Sequence, residues 1–174
     1  DILCGTFSQN GDIDQVYIEP MIRQHQVLQL LAPSGLADIR VIVINNQIAA
    51  AMLRLPTEKS NGKANLHQGA IGVSVDTETG RLNQATQKGK TLDWHPDSQV
   101  AFAGLTIPDW DKVRKISLAC AKAIPLGYLG VDVCIDRDEG PLVLEVNGRP
   151  GLEIQNIQGK PIERRLIYQT AETA

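Results

Sequence analysis

Asp132, Glu145, Asn147 and Arg149 form the densest group of chemically purposeful side chains in this 174-residue sequence. They lie in GYLGVDVCIDRDEGPLVLEVNGRPGL, residues 127–152, which reads as two strands joined by a tight turn. Val131, Val133 and Ile135 alternate with small or polar residues, and so do Leu142, Leu144 and Val146, the period of half-buried strands. Arg137-Asp138-Glu139-Gly140 supplies a charged, glycine-ended turn. With the turn centred between Asp138 and Glu139, Asp132 lies directly across from Glu145, because residues equidistant from the centre pair. Asn147, two residues beyond Glu145, then projects from the same face. One face of the hairpin is expected to be purely aliphatic, and the other to present Asp132, Glu145 and Asn147.

Two carboxylates at cross-strand distance repel each other, and a divalent cation removes that cost. Two carboxylates and an amide oxygen are hard ligands, suited to Mg²⁺ and also to Mn²⁺. Arg149-Pro150-Gly151 places a permanent cation beside them on a chain made rigid by proline. The competing reading is an edge hairpin whose acidic residues face water. The Asn-Gly-Arg-Pro-Gly string argues against it, since a plain solvent face has no use for that sequence.

A second hairpin is expected over 38–54, DIRVIVINNQIAAAMLR, with Asn45-Asn46 as its turn. Asp38 and Arg40 share one face, and Ile39, Val41 and Val43 the other. A surface ion pair between Asp38 and Arg40 would contribute only about 0–1 kcal/mol, so a role in a site is favoured. The polar loop 55–72, with PTEKSNGKANLHQGA, has the composition of a mobile, phosphate-closing segment. Arg54 and His67 read equally as acid-substrate ligands and as loop anchors.

The remaining elements must position these groups. Residues 15–22, containing VYIEPMI, read as a short strand broken by Pro20, which cannot donate to a ladder. Residues 23–35 have helical spacing at Val27, Leu30 and Leu31, and His25 reads as structural. Short strands are expected around Thr77–Gly80, then an irregular stretch over 89–108 that includes Trp94-His95-Pro96-Asp97. Residues 109–124 form an amphipathic helix with Asp109 as N-cap and Trp110, Val113, Ile116, Cys120 and Ala123 at helical spacing. It is expected to pack behind the 127–152 hairpin. Residues 160–174 read as a terminal helix, with Arg164 and Arg165 exposed.

Composition narrows the function classes. Seventeen basic against twenty acidic side chains leave a net charge of −3, which suggests no attraction to nucleic acid or membrane. Cys4, Cys120 and Cys134 follow no metal spacing, and the odd number favours reduced, buried thiols in the cytoplasm. No run of eighteen apolar residues is present, and no signal peptide is expected.

The blocks DIR, KANLHQGA, GVD and LEVNGRPGLEIQ, in that order and spacing, resemble the ATP-grasp superfamily, and within it the RimK-type and alpha-L-glutamate ligase-related proteins. The resemblance spans residues 13–159. It implies an α+β ATP-grasp fold, an antiparallel sheet backed by helices, of which residues 1–174 are a fragment comprising the C-terminal lobe and hinge. Glu19 would meet the adenine edge, with the backbone of Met21 and Ile22 beside it, unless Glu19 is merely solvated. Asp38 would lie at the nucleotide and Arg40 at the reaction centre. Lys63 and Asn65 match nucleotide contacts, although similar ligases carry Arg where Lys63 stands. Asp132, Glu145 and Asn147 would hold Mg²⁺ on ATP.

Arg149 would stabilise an acyl phosphate. RimK-type enzymes carry a small residue there, while other ATP-grasp ligases place an arginine. The implied activity is ATP-dependent joining of a small-molecule or peptide carboxylate to an amine, glutamate or a similar amino acid. The alternative is an ATP- and Mg²⁺-binding module without ligase activity. Oligomeric state stays open.

Overall fold

The computed structural model describes Cys4, Thr6, Ser8, residues 18–159 and residues 161–162. Its centre is a seven-stranded antiparallel sheet. In chain order the strands are β1 (Asp38–Ile44), β2 (Gln47–Leu55), β3 (Ile71–Val75), β4 (Leu82–Gln87), β5 (Lys90–Leu92), β6 (Tyr128–Asp136) and β7 (Gly140–Asn147). Helix α1 (Gln26–Leu31) precedes the sheet, α2 (Trp110–Ala123) stands between β5 and β6, and α3 (Glu153–Gln158) follows β7. The spatial order is β5-β4-β3-β2-β1-β6-β7, so the two hairpins singled out in the sequence are neighbours, joined through β1 and β6. No described helix is long and apolar enough to cross a membrane.

The near-continuous apolar run of β1 follows from its central place, where both faces are covered. Ile39, Val41 and Val43 join the larger core with Leu53, Val131, Val133 and Ile135 beneath α2, which contributes Trp110, Val113 and Ala121. Ile42 and Ile44 face the other way and pack with Met52 against Ile154 and Ile157 of α3. That helix lies so close to the sheet that a Cβ on Gly72 would stand 2.2 Å from the Ile157 side chain. It covers only part of its face, and the uncovered part carries the polar residues of the site.

Both site-bearing hairpins contain a register shift. Asn45 and Asn46 take left-handed backbone angles, φ 48° and 61°, the two-residue turn that suits the strand twist. From that turn Val43 pairs with Ile48, but Ile42 pairs with Ala50, so Ala49 has no register partner and Asp38 ends opposite Arg54. In the β6–β7 hairpin the turn is tighter than the sequence suggests. Asp136 pairs with Gly140, whose φ is +80°, and Val133 pairs with Val143. The ladder then skips Leu144, so that Asp132 pairs with Glu145. The expected opposition of Asp132 and Glu145 holds, through a bulge rather than through a turn centred between Asp138 and Glu139. The aliphatic face expected from Leu142, Leu144 and Val146 is corrected accordingly. Val143 and Val146 meet the core, while Leu144 is exposed.

Several other expectations are corrected. Residues 18–22 belong to no strand and are mostly exposed, because Pro20 removes a donor and the segment is held instead by bonds to the β6–β7 turn. Residues 15–17 and 163–174 lie outside the described residues, and with them the rest of that strand and the terminal helix. In α1 the buried residues are Leu28 and Leu31, not Val27 and Leu30. Asp109 sits at the N-cap in a left-handed conformation without a side-chain capping bond; its carboxylate pairs with Lys112 instead. The stretch 89–108 contains β5, a short edge strand, and α3 appears where no helix was expected. Cys4 is exposed, Cys120 intermediate and Cys134 buried, all free thiols. Burial pushes Cys134 up to about 11.

The loop between β2 and β3 is densely bonded, contrary to the mobility its composition implies. Thr57 and Ser60 form a reciprocal capping box, and the Thr57 hydroxyl donates to the Gly69 carbonyl at 3.0 Å. A Cβ on Gly35 would stand 2.1 Å from the Gly62 carbonyl oxygen, so the chain after α1 is pressed backbone to backbone on this loop. His95 is fully buried beneath it. Its Nε2 bonds the Pro56 carbonyl oxygen at 2.9 Å, and its Nδ1 accepts from the backbone N–H groups of Asp97 and Ser98. His95→Ala orphans these three groups, each costing about 1–3 kcal/mol where buried, so a loss of about 3 kcal/mol is expected. Urea unfolding measures it, and an unchanged midpoint would show that the loop is anchored elsewhere.

Candidate active site

The site begins with a charge ladder across three adjacent strands. Asp38 of β1 is the register partner of Arg54 of β2, and Arg40 of β1 that of Asp132 of β6. Arg40 grips Asp132 with two bonds, Nε to Oδ1 at 2.8 Å and Nη2 to Oδ2 at 2.6 Å. Arg54 reaches across β1, donating from Nε to Asp38 Oδ1 at 2.5 Å and from Nη2 to Asp132 Oδ2 at 2.8 Å. The side chains of all four residues are largely buried. Such burial demands pairing, since removing one partner of a buried pair costs roughly 3–5 kcal/mol. The hydrogen bond to Asp132 raises the Arg40 pKa further above its ordinary value, so the guanidinium is permanently charged.

Asp132, Glu145 and Asn147 are brought together as the sequence predicts. Glu145 lies opposite Asp132, and Asn147 opposite Gly130. Glu145 is exposed and forms no ion pair among the described residues. Among those residues no three His, Cys, Asp or Glu side chains converge as a metal cluster; the set is two carboxylates and an amide. It nevertheless has room for a hard cation. A carboxylate offers about four lone-pair sites, and the arginines occupy three on Asp132, leaving one on Oδ1. The buried amide nitrogen of Asn147 has no hydrogen-bond partner; as a donor it would be satisfied by an acceptor such as a phosphate oxygen that accompanies the cation.

Two clefts flank this centre. One, of about 260 Å³, is lined by Arg40, Arg54, Asn65, His67, Gly151 and Glu153, among others. It gathers the predicted Arg40 and Asn65 with Arg54 and His67, which the sequence left undecided. Asn65 also caps the short helical turn 66–68 by accepting from the His67 N–H at 3.0 Å. The other cleft, of about 480 Å³, lies between residues 19–23 and the β7 edge at Leu142, Val143 and Leu144. It collects Glu19, Met21 and Ile22.

The Asp136 carboxylate ties that segment to the hairpin, accepting the Arg23 N–H at 2.7 Å and those of Asp138 and Glu139 at 2.8 and 3.1 Å. These bonds hold the Asp136 pKa below its ordinary value. Lys63 and Arg149 are exposed and line neither cleft. Arg54 is the residue that sequence reasoning undervalued. Counting outward from the Asn45-Asn46 turn places Leu53, not Arg54, opposite Asp38, and only the bulge at Ala49 corrects the count.

Asp38 responds to pH in a defined direction. Burial pushes its pKa up to about 6, against the opposing pull of Arg54. The unfolded value is near 3.9, so the folded state holds the extra proton between the two. Stability from this group is present below about pH 4 and is lost as pH rises through about 6, by at most about 1.4 kcal/mol per pH unit. Asp38→Asn should flatten that decline when unfolding free energy is followed from pH 4 to 7. An equally steep decline in the variant would assign the titration to another group.

Comparison with known proteins identifies the family. The family model described as sugar-transfer associated ATP-grasp matches residues 1–170. A probable alpha-L-glutamate ligase of Shewanella loihica is 31% identical over 147 residues, 84% of this chain and 37% of the relative. One of Marinobacter nauticus is 32% identical over 145 residues, 83% of this chain and 37% of the relative. The chain thus spans little more than a third of these curated relatives. A solved structure described as the ATP-grasp ligase PsnB complexed with minimal precursor aligns with a TM-score of 0.36 and 20% identity, over 70% of this chain and 29% of that one. With the family model covering nearly the whole chain, the protein belongs to the sugar-transfer associated ATP-grasp family.

Proposed function

We propose that this chain supplies the nucleotide- and metal-binding lobe of an ATP-dependent carboxylate–amine ligase of the cytoplasm. The observation that carries the reading is the opposition of Asp132 and Glu145 on β6 and β7, with Asn147 alongside and two guanidinium groups on the same face. The relatives named probable alpha-L-glutamate ligases support the reaction class, with glutamate or a similar amino acid as the amine.

In this reading the adenine edge meets Glu19 and the backbone of Met21 and Ile22, against the apolar wall of Leu142 and Leu144. Asp132, Glu145 and Asn147 hold Mg²⁺, and Mn²⁺ satisfies the same hard donors. The ion, when bound, neutralises charge on the transferring phosphoryl group. A substrate carboxylate oxygen attacks the γ-phosphorus, and the bond to the ADP oxygen breaks, giving an acyl phosphate. The amine nitrogen then attacks the acyl carbon, phosphate departs, and the nitrogen gives up a proton to leave an amide.

Arg40 lines the cleft in which these oxygens collect charge, and its bidentate hold on Asp132 orients both groups. Asp38 acts on the nucleotide side by keeping Arg54 in place. Asn65 approaches the phosphates from the β2–β3 loop, while the exposed Lys63 and Arg149 act from outside the two clefts, Lys63 on the phosphates and Arg149 electrostatically on the oxyanion of the acyl transfer. A second reading, nucleotide binding without turnover, is favoured by the mutual neutralisation of Asp38, Arg54, Asp132 and Arg40, which leaves this face stable without a metal.

The test is phosphate release from Mg-ATP by the full-length protein, across a panel of carboxylic acids and amino acids. Glu145 is exposed, so Glu145→Gln should leave thermal stability intact while lowering release by about 100-fold or more, the equivalent of about 2.7 kcal/mol or more of metal-borne stabilisation. Chelation by EDTA should do the same. Magnesium-dependent ATP binding with no release from any acid and amine pair would establish the non-catalytic reading.

A further inference from the structure

We propose that a third cleft, between β4 and α3, receives the amine substrate as a zwitterionic amino acid, with Glu153 holding its ammonium group and Lys88 its carboxylate. The proposal rests on the ligase reading and locates the amine within it. The cleft has a volume of about 310 Å³ and is lined in part by Leu66, His67, Thr86, Lys88, Glu153 and Asn156. This is the low end of the range for small-molecule sites, roughly 300–1,000 Å³. It shares Leu66, His67 and Glu153 with the cleft that contains Arg40 and Arg54. The two clefts therefore adjoin, and Glu153 stands on their common wall. Once the ammonium has given a proton to the Glu153 carboxylate, the neutral amine nitrogen held there has a direct approach to the acyl group beside the arginines.

The charges in this outer cleft are arranged for a ligand with two opposite ends. Lys88 and Glu153 face the same cavity, yet they do not pair with each other or with any other described residue. The Glu153 carboxylate accepts one hydrogen bond, from Asn156 Nδ2 at 3.2 Å, which orients it and leaves most of its acceptor capacity open. Lys88 is held at the β4–β5 turn by a left-handed backbone, φ 50°, followed by Gly89 at φ 78°. Its Cβ direction is therefore set by the turn. An unpaired cation and an unpaired anion across a cavity match an α-amino acid, whose ammonium and carboxylate flank one carbon. Ala70 and Ile157 offer an apolar wall to its side chain.

The inner cleft makes the complementary demand. There Nε and Nη2 of both arginines are taken by Asp38 and Asp132, while Nη1 of each forms no hydrogen bond among the described residues and remains a donor for anionic oxygens. An ammonium group is repelled by those guanidinium groups and attracted to Glu153, so the acid is drawn to the arginines and the amine to Glu153.

Steady-state phosphate release by the full-length protein tests this, with each amino acid that supports turnover compared with its carboxamide. Glu153→Gln should raise the KM for the amino acid and for its carboxamide roughly tenfold while leaving the KM for ATP unchanged. Lys88→Met should raise the KM for the amino acid roughly tenfold and shift that for the carboxamide by less than about twofold. Both side chains are exposed, and thermal unfolding would confirm that the variants remain folded. Turnover with unaltered amine KM in both variants overturns the subsite alone, as does a fall in kcat with amine KM unchanged. Absence of release from the unmodified protein with every amine overturns the ligase reading and the subsite with it.

Discussion

The structure depends on the burial of four charges across its three central strands. Asp38, Arg54, Asp132 and Arg40 alternate in sign from β2 through β1 to β6, and none can lose its partner without leaving an isolated charge beneath the sheet surface. A face required only for stability has no use for such a cluster, because well-packed apolar residues of similar volume serve as well or better. Its presence across the three central strands is what a site demands, where charges must be present but must not move. The cluster also explains the cross-strand registers. A one-residue slip of β6 against β1 would turn Asp132 toward the aliphatic core beneath α2.

The elements around the ladder divide the second face of the sheet between packing and chemistry. Helix α3 seals Ile42, Ile44 and Met52 through Ile154 and Ile157, and its first residue, Glu153, stands at the border of the open part. The β2–β3 loop forms the opposite rim. It is rigidified from below by His95 and from the side by the contact between Gly35 and Gly62. Both rims are therefore extensions of the packed core, which is how a cleft keeps its shape without a ligand to support it.

The third wall, residues 19–23, is attached differently. It pairs with no neighbouring strand over its length and is held by the Asp136 carboxylate, by Arg137 N–H donating to the Arg23 carbonyl at 2.6 Å, and by the Arg23–Asp138 ion pair. The cleft it forms with β7 is bounded by the same hairpin that carries Glu145 and Asn147, so the wall and the acidic group share one rigid base.

The sequence by itself determined the two hairpins, the Asn45-Asn46 turn, the long amphipathic helix and the identity of the acidic and amide group, because alternation, turn chemistry and helical spacing are local properties. The ATP-grasp resemblance was legible for the same reason, being carried by short blocks in fixed order. What only the tertiary structure decided were the two bulges, at Ala49 and Leu144, and everything they aim. The opposition of Asp132 and Glu145 was anticipated from a turn centred half a residue from its true position, and the bulge made up the difference. Arg54 had no such compensation, so its place opposite Asp38 and its reach to Asp132 were invisible. An extra residue in one strand leaves no mark in composition or periodicity. It forms because pairing across the whole sheet buries more apolar surface and more paired charge than the unbroken register would, and that balance is set by the neighbouring strands.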